Sequence, residues 1–279
     1  MGTLSLGYSP CPNDTFIFFP LVCGKINTNG LTFREILDDV ETLNQMAIGS
    51  LLDITKASFH AFGHLRDDYC LLRSGGALGK GCGPLVVARE SLEMSDLRGM
   101  TIAIPGELTT AFLLLQIFDP ELKRKVKIMP FNSIIGSVRE GEADAGLIIH
   151  ESRFTFQRAG LKKVIDLGEW WEKETGHPVP LGGIIGRRGL GADLLRRIEI
   201  LLRKSVEYAF AHRAESVSYI KQHAQELEDE VINRHINLYV NNYSLDIGDS
   251  GERAVKELFR MAERRGIIKS SNKSLFISS

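Results

Sequence analysis

Short apolar runs alternate with stretches of helical spacing in this chain, and the alternation occurs twice. From the N-terminus come LSLGY, TFIFFPLVCGKI, a run over 31–37, VETLNQMAIGSL after Asp39, a run over 54–57 and a helical stretch over 58–64. From Thr101 the order restarts with TIAIP, AFLLLQIF, KIMPF, SIIGSVREG and AGLIIH. Strands that alternate with one-faced helices bury their apolar surface as parallel sheets covered by helices. Two such units predict two sheets in one chain of 279 residues, a length sufficient for two lobes.

Further strands are expected over 70–74, 85–89, 164–167 and 181–187, with GEWWEKETGHPVP as the connection between the last two. Helical patterns fill 193–212, 214–223, 229–240 and 250–265. The expected path leaves lobe one near residue 90, builds lobe two and returns near 185. Lobe one is then 1–89 plus 186–279, and lobe two is 90–185. This is an α/β chain with the layout of a two-lobed periplasmic-binding-protein-like fold of type 2, its ligand cleft between the lobes. Ligands in such units sit beyond the carboxyl ends of the strands.

Composition narrows the partners. The formal net charge is -1, so no basic field exists to gather nucleic acid, and a small-molecule partner is expected. No apolar run reaches the ~18 residues of a membrane span, so no membrane partner is expected. The start MGTLSLGYSP lacks a basic region and a long apolar core, which reads as no export signal and a cytoplasmic location. Cys11, Cys23, Cys70 and Cys82 form no CxxC pair and have no ligand partner at metal spacing, so reduced thiols are expected. Oligomeric state is not readable.

The strand ends select the candidate site. After the first strand comes YSPCPNDTFIFF, in which Pro10 and Pro12 stiffen the turn and Asn13 or Asp14 is expected to cap the helix. Ser9 and Asn13 are its substrate-facing candidates. After the third strand come Lys56, Ala57 and Ser58, and after the run at 70–74 come Ser74 and two glycines. Thr109 and Thr110 open a helix in the second unit, where free N–H groups and the positive dipole end suit a carboxylate. A plain N-cap is the simpler account of any one of these hydroxyls. His150 ends the run GLII and should hang into the cleft, where an imidazole with an ordinary pKa near ~6.5 can accept a proton. Glu151 and Arg153 stand beside it. A structural hydrogen bond across the lobes is the competing account of His150.

The other histidines carry less. His60 and His64 are one helical turn apart but lack a third ligand, and His212, His223 and His235 read as surface or packing residues. Trp170 and Trp171 read as packing. GGALGKGCG has five glycines in nine residues, so its backbone can approach a ligand or another segment closely. It is not a phosphate loop, because Gly81 follows Lys80.

SPCPNDTFIF, LDDVETLN, RSGGALG, GPLVVAR, GLIIHESRFT and YVNNYSLDIG together resemble the 1,4-dihydroxy-6-naphthoate synthases, a family of the futalosine route to menaquinone. The resemblance runs over nearly the whole chain. It implies the two-lobed fold used as a carbon–carbon lyase, with cyclic dehypoxanthine futalosine as substrate and no metal or organic cofactor. It implies His150 as proton acceptor, and substrate contacts at Lys56, Ala57, Ser58, Thr109 and Thr110. The alternative is a solute-binding protein of the same fold with no chemistry.

Overall fold

The computed structural model describes residues 2–225 and 228–277. Its first unit follows the expected order: β1 (Leu4–Tyr8), α1 (Pro12–Val22), β2 (Phe33–Leu37), α2 (Val40–Ile48), β3 (Ile54–Ser58), α3 (Phe59–Leu65), β4 (Tyr69–Leu71) and β5 (Ala77–Gly79). The second unit is β6 (Leu85–Ala88), β7 (Ile102–Ile104), α4 (Thr110–Phe118), β8 (Val126–Ile128), α5 (Ile134–Glu140), β9 (Ala145–Ile148), α6 (Ser152–Thr155), β10 (Lys162–Asp166) and α7 (Leu167–Thr175). The return strand β11 (Val179–Arg187) leads into α8 (Ala192–Ala211), α9 (Val217–His223), α10 (Asp229–Tyr239), α11 (Asn242–Leu245) and α12 (Gly248–Arg264).

Two sheets result. The first runs β2-β1-β3-β11-β4, with β5 also on β11; the second runs β10-β6-β9-β7-β8. β1 pairs in parallel with β2 and β3, and β7 in parallel with β8 and β9, as a β-α-β chain requires. β11 runs antiparallel to β3 and β4, while β6 runs antiparallel to β9 and β10. Sheet membership moves both expected lobe boundaries. β6, placed in lobe one by the sequence, belongs to the second sheet, and β11, mostly placed in lobe two, belongs to the first. The chain therefore crosses between β5 and β6 and again between α7 and β11. Apolar content alone could not assign either strand, because both are buried along most of their length.

Other local differences have local causes. The expected connection GEWWEKETGHPVP contains α7, whose cap Asp166 accepts from the N–H groups of Gly168 and Glu169. Trp171 is wholly buried and donates Nε1–H to the Pro178 carbonyl at 3.0 Å, which bears out the packing reading. The glycine-rich stretch contains β5, and Gly83 sits against Gly168: a Cβ on Gly83 would lie 2.3 Å from the Gly168 Cα. The close approach its glycines allow is to another segment of the chain. The helix α1 begins at Pro12 with Cys11 as cap residue and no side-chain cap bond. Asn13 and Asp14 thus lie inside the first turn, and the expected capping role is withdrawn. Proline at the first helical position explains why the start moved.

α1 is buried on nearly every face and packs on α8, whose Leu195, Ile198, Leu201, Leu202, Ser205, Val206 and Ala209 form its inner stripe. The effect is to hold the start of α1 rigidly beneath the cleft.

Candidate active site

A cavity of about 660 Å³, open to solvent, lies between the two sheets. Its walls include Ser9, Asn13, Lys56, Ala57, Ser58, Thr109, Thr110 and His150, so folding brings together eight of the ten residues singled out from the sequence. Ser74 and Arg153 are not in its lining. Ser74 donates to the Leu245 carbonyl at 2.7 Å. Arg153 is clamped by Asp166 and by the Gly83 carbonyl, each at 2.5 Å. Both side chains are held by the scaffold rather than offered to the cavity.

The floor is an ion pair. Lys56 Nζ lies 3.1 Å from Asp14 Oδ1 with both side chains buried, and it donates to the Gly75 carbonyl at 3.2 Å. Asp14 also accepts from the Ser9 N–H and hydroxyl at 3.2 and 2.7 Å and from Asn13 Nδ2 at 2.8 Å. Lys56 is therefore neither a solvated lysine nor an unopposed charge. Asp14 lines the cavity too, and no local pattern signals its pairing with a residue 42 positions away.

One wall presents hydroxyls at two helix starts. Ser58 ends β3 and exchanges bonds with Asn44: its N–H donates to Asn44 Oδ1 at 2.9 Å, and Asn44 Nδ2 donates to its Oγ at 3.1 Å. Thr109 caps α4, accepting from the Phe112 N–H at 3.3 Å. Thr110 donates to the Leu181 carbonyl of β11, tying the two sheets together.

His150 faces these groups. It follows β9 by two residues and has a positive φ of 56°. A non-glycine residue in the left-handed region costs roughly 1–2 kcal/mol and persists where the surroundings hold it. Desolvation lowers its imidazole to about 4, Lys56 adds to the fall, and Asp14 and Asp39 oppose it. At neutral pH the ring is uncharged and one nitrogen carries a lone pair.

Two residues of this site escaped sequence reading. His235 of α10, expected at the surface or in packing, is fully buried beside the cleft, and its Nε2 lies 2.9 Å from Asn13 Oδ1. Tyr239, one turn on, lines the cavity, and burial pushes its phenol up. An i, i+4 aromatic pair on one helix was the available signal, but it does not reveal which face turns inward. The reading of the cysteines also changes. All four are free, and Cys11 comes together with His150 and Glu151, one ligand atom from each lying within 4.8 Å of the others. Among the described residues this is the one cluster of three or more ligating side chains.

Two α/β sheets joined by two crossings, with a polar cleft at their strand ends, define the periplasmic-binding-protein-like fold. The alkanesulfonate-binding protein SsuA from Xanthomonas axonopodis pv. citri has this fold in common with the chain: TM-score 0.69 at 13% identity, covering 97% of this chain and 95% of that one. Protein AF1704 from Archaeoglobus fulgidus is nearer, with TM-score 0.89 at 35% identity over 95% and 98% of the two chains.

The particular family follows from sequence similarity. The chain belongs to the menaquinone biosynthesis family, whose model matches residues 4–264. It is 50% identical, over 99% of its length and the whole of the relative, to a protein of Thermus thermophilus named 1,4-dihydroxy-6-naphtoate synthase. It is 43% identical to the protein of that name from Streptomyces coelicolor, over 95% of each.

Proposed function

We propose that this protein converts cyclic dehypoxanthine futalosine into 1,4-dihydroxy-6-naphthoate as a carbon–carbon lyase, with His150 as the base that starts a retro-aldol-like cleavage. The observation that carries the reading is the His150 imidazole, held in left-handed backbone, in a cavity whose walls also carry Ser58, Thr109 and Thr110, with desolvation favouring its uncharged form. The names of the Thermus and Streptomyces relatives support the product.

In this reading the substrate sits between the sheets with its carboxylate toward the starts of α3 and α4. Backbone N–H groups and hydroxyls there offer donors to an anion. His150 takes a proton from the substrate. The bond to the sugar-derived carbons then breaks, its electron pair passing into the ring system, which becomes aromatic. Oxyanion character that develops on the way is met by the Ser58 hydroxyl, whose oxygen accepts from Asn44 and whose proton points to no protein acceptor among the described residues. The buried Lys56–Asp14 pair sets the local field without adding net charge. Lobe closure keeps water from the intermediate.

The test is turnover of the cyclic substrate by wild type and His150→Ala, followed by naphthoate absorbance. A fall of 10²-fold or more in kcat is expected for loss of a general base. Near-normal turnover by His150→Ala would remove the residue from the mechanism. Tight binding of the substrate by wild type with no product would favour a solute-binding protein instead.

A further inference from the structure

Cys11 has no part in the chemistry just described, yet the fold places it against the base. It occupies the cap position of α1, 6% exposed, and one ligand atom each of Cys11, His150 and Glu151 lies within 4.8 Å of the other two. A thiol, an imidazole and a carboxylate are the three donor types that zinc prefers. Their origins differ: Cys11 comes from the turn after β1, and the other two from the turn after β9.

We propose that these three side chains form an inhibitory site for a thiophilic divalent cation, Zn²⁺ in the first instance, which silences the enzyme by taking the lone pair of His150. The consequence for turnover rests on His150 being the base; the metal site itself does not.

The geometry needs little adjustment. Zinc bonds of ~2.3 Å to sulfur and ~2.0–2.2 Å to nitrogen and oxygen put tetrahedral ligands roughly 3.5 Å apart. Atoms now up to 4.8 Å apart must close by about an ångström. The three protein ligands leave a fourth position for water, the pattern of an open rather than a closed site. His235 packs behind the cluster, its Nδ1 3.6 Å from Glu151 Oε2 and its Nε2 held by Asn13. On binding, the Cys11 thiol gives up its proton to solvent as the sulfur–metal bond forms, and no redox change occurs. The remaining thiols do not compete within this cluster. Cys70 is buried elsewhere, Cys82 lines the same cavity but lies outside this cluster, and Cys23 is exposed at the far end of α1.

The experiment is titration of the full-length protein with Zn²⁺ by calorimetry and with Co²⁺ by absorbance. One equivalent should bind, and the cobalt form should show a thiolate-to-metal charge-transfer band in the near-ultraviolet. Cys11→Ser should lose the band and at least ten-fold in Zn²⁺ affinity, while Cys23→Ser keeps both. Glu151→Gln should lose affinity but keep the band, which preserves the test if Cys11→Ser folds poorly. Zn²⁺ should inhibit the wild type, with recovery on EDTA. Absence of stoichiometric binding, or a cobalt complex without the thiolate band, overturns the site. Stoichiometric binding with undiminished turnover leaves the site standing and instead overturns inhibition through His150.

Discussion

The imidazole of His235 lies parallel to that of His150, with ring centroids 6.0 Å apart and planes inclined by 4°. His235 is itself held in place by a hydrogen bond to Asn13. Asn13 Nδ2 donates to Asp14, so Asn13 Oδ1 is the acceptor and His235 Nε2–H the donor. His235 Nδ1 is then left facing Glu151, the residue after His150. Both histidines are depressed by burial, so this stack is neutral at pH 7.

Asn13→Ala and His235→Phe should therefore each lower naphthoate formation roughly ten-fold, a cost of ~1–2 kcal/mol for one lost buried hydrogen bond. The double variant should be little worse than either single one, because both remove the same contact. Steady-state rates of the four proteins check this. Additive losses would show that the two residues act separately.

The Lys56–Asp14 pair gives a stability prediction. Lys56→Met leaves Asp14 buried without its cation and should destabilise by roughly 3–5 kcal/mol. Urea denaturation measures it. A loss below ~1 kcal/mol would mean that water reaches the pair.

Lobe closure is held by a contact outside the reacting groups. The Glu41 carboxylate of α2 accepts the Leu108 N–H at 3.1 Å, and a Cβ on Gly106 would fall 2.4 Å from Glu41 carbon atoms. Gly106→Ala should displace Glu41 and open the cleft. Its KM should rise several-fold with a smaller effect on kcat, and small-angle scattering should report a larger radius. Unchanged KM and radius would argue against the contact.

Acid should destabilise the fold early, and His60 is one reason. Burial on α3, with His64 beside it, lowers the His60 imidazole to about 4, against 6.5 when unfolded. Between those values the unfolded chain binds the extra proton. Stability is thus full above pH 6.5 and falls as pH drops toward 4, by at most ~3 kcal/mol from this group. His150 and His235 act in the same direction. Thermal melts between pH 7 and 5 should show a smaller pH slope for His60→Phe than for wild type. An equal slope would assign the effect to the other histidines.

The apolar alternation around β1–β3 and β7–β9 determined the two parallel β-α-β units, because helices and strands with one buried face have few ways to pack. Strand ends then picked out Ser9, Asn13, Lys56, Ala57, Ser58, Thr109, Thr110 and His150 from local order alone. The tertiary structure decided what each one touches. β6 and β11 changed sheets because their buried sequences fit either, and only pairing partners distinguish them. Ser74 and Arg153 turned into the scaffold, where nearby carbonyls and Asp166 satisfied them. Asp14 became a cleft residue, and His235 and Cys11 came to lie beside the cleft, through contacts between segments tens to hundreds of positions apart. Periodicity records which face of an element is buried; it holds no record of which distant element covers that face.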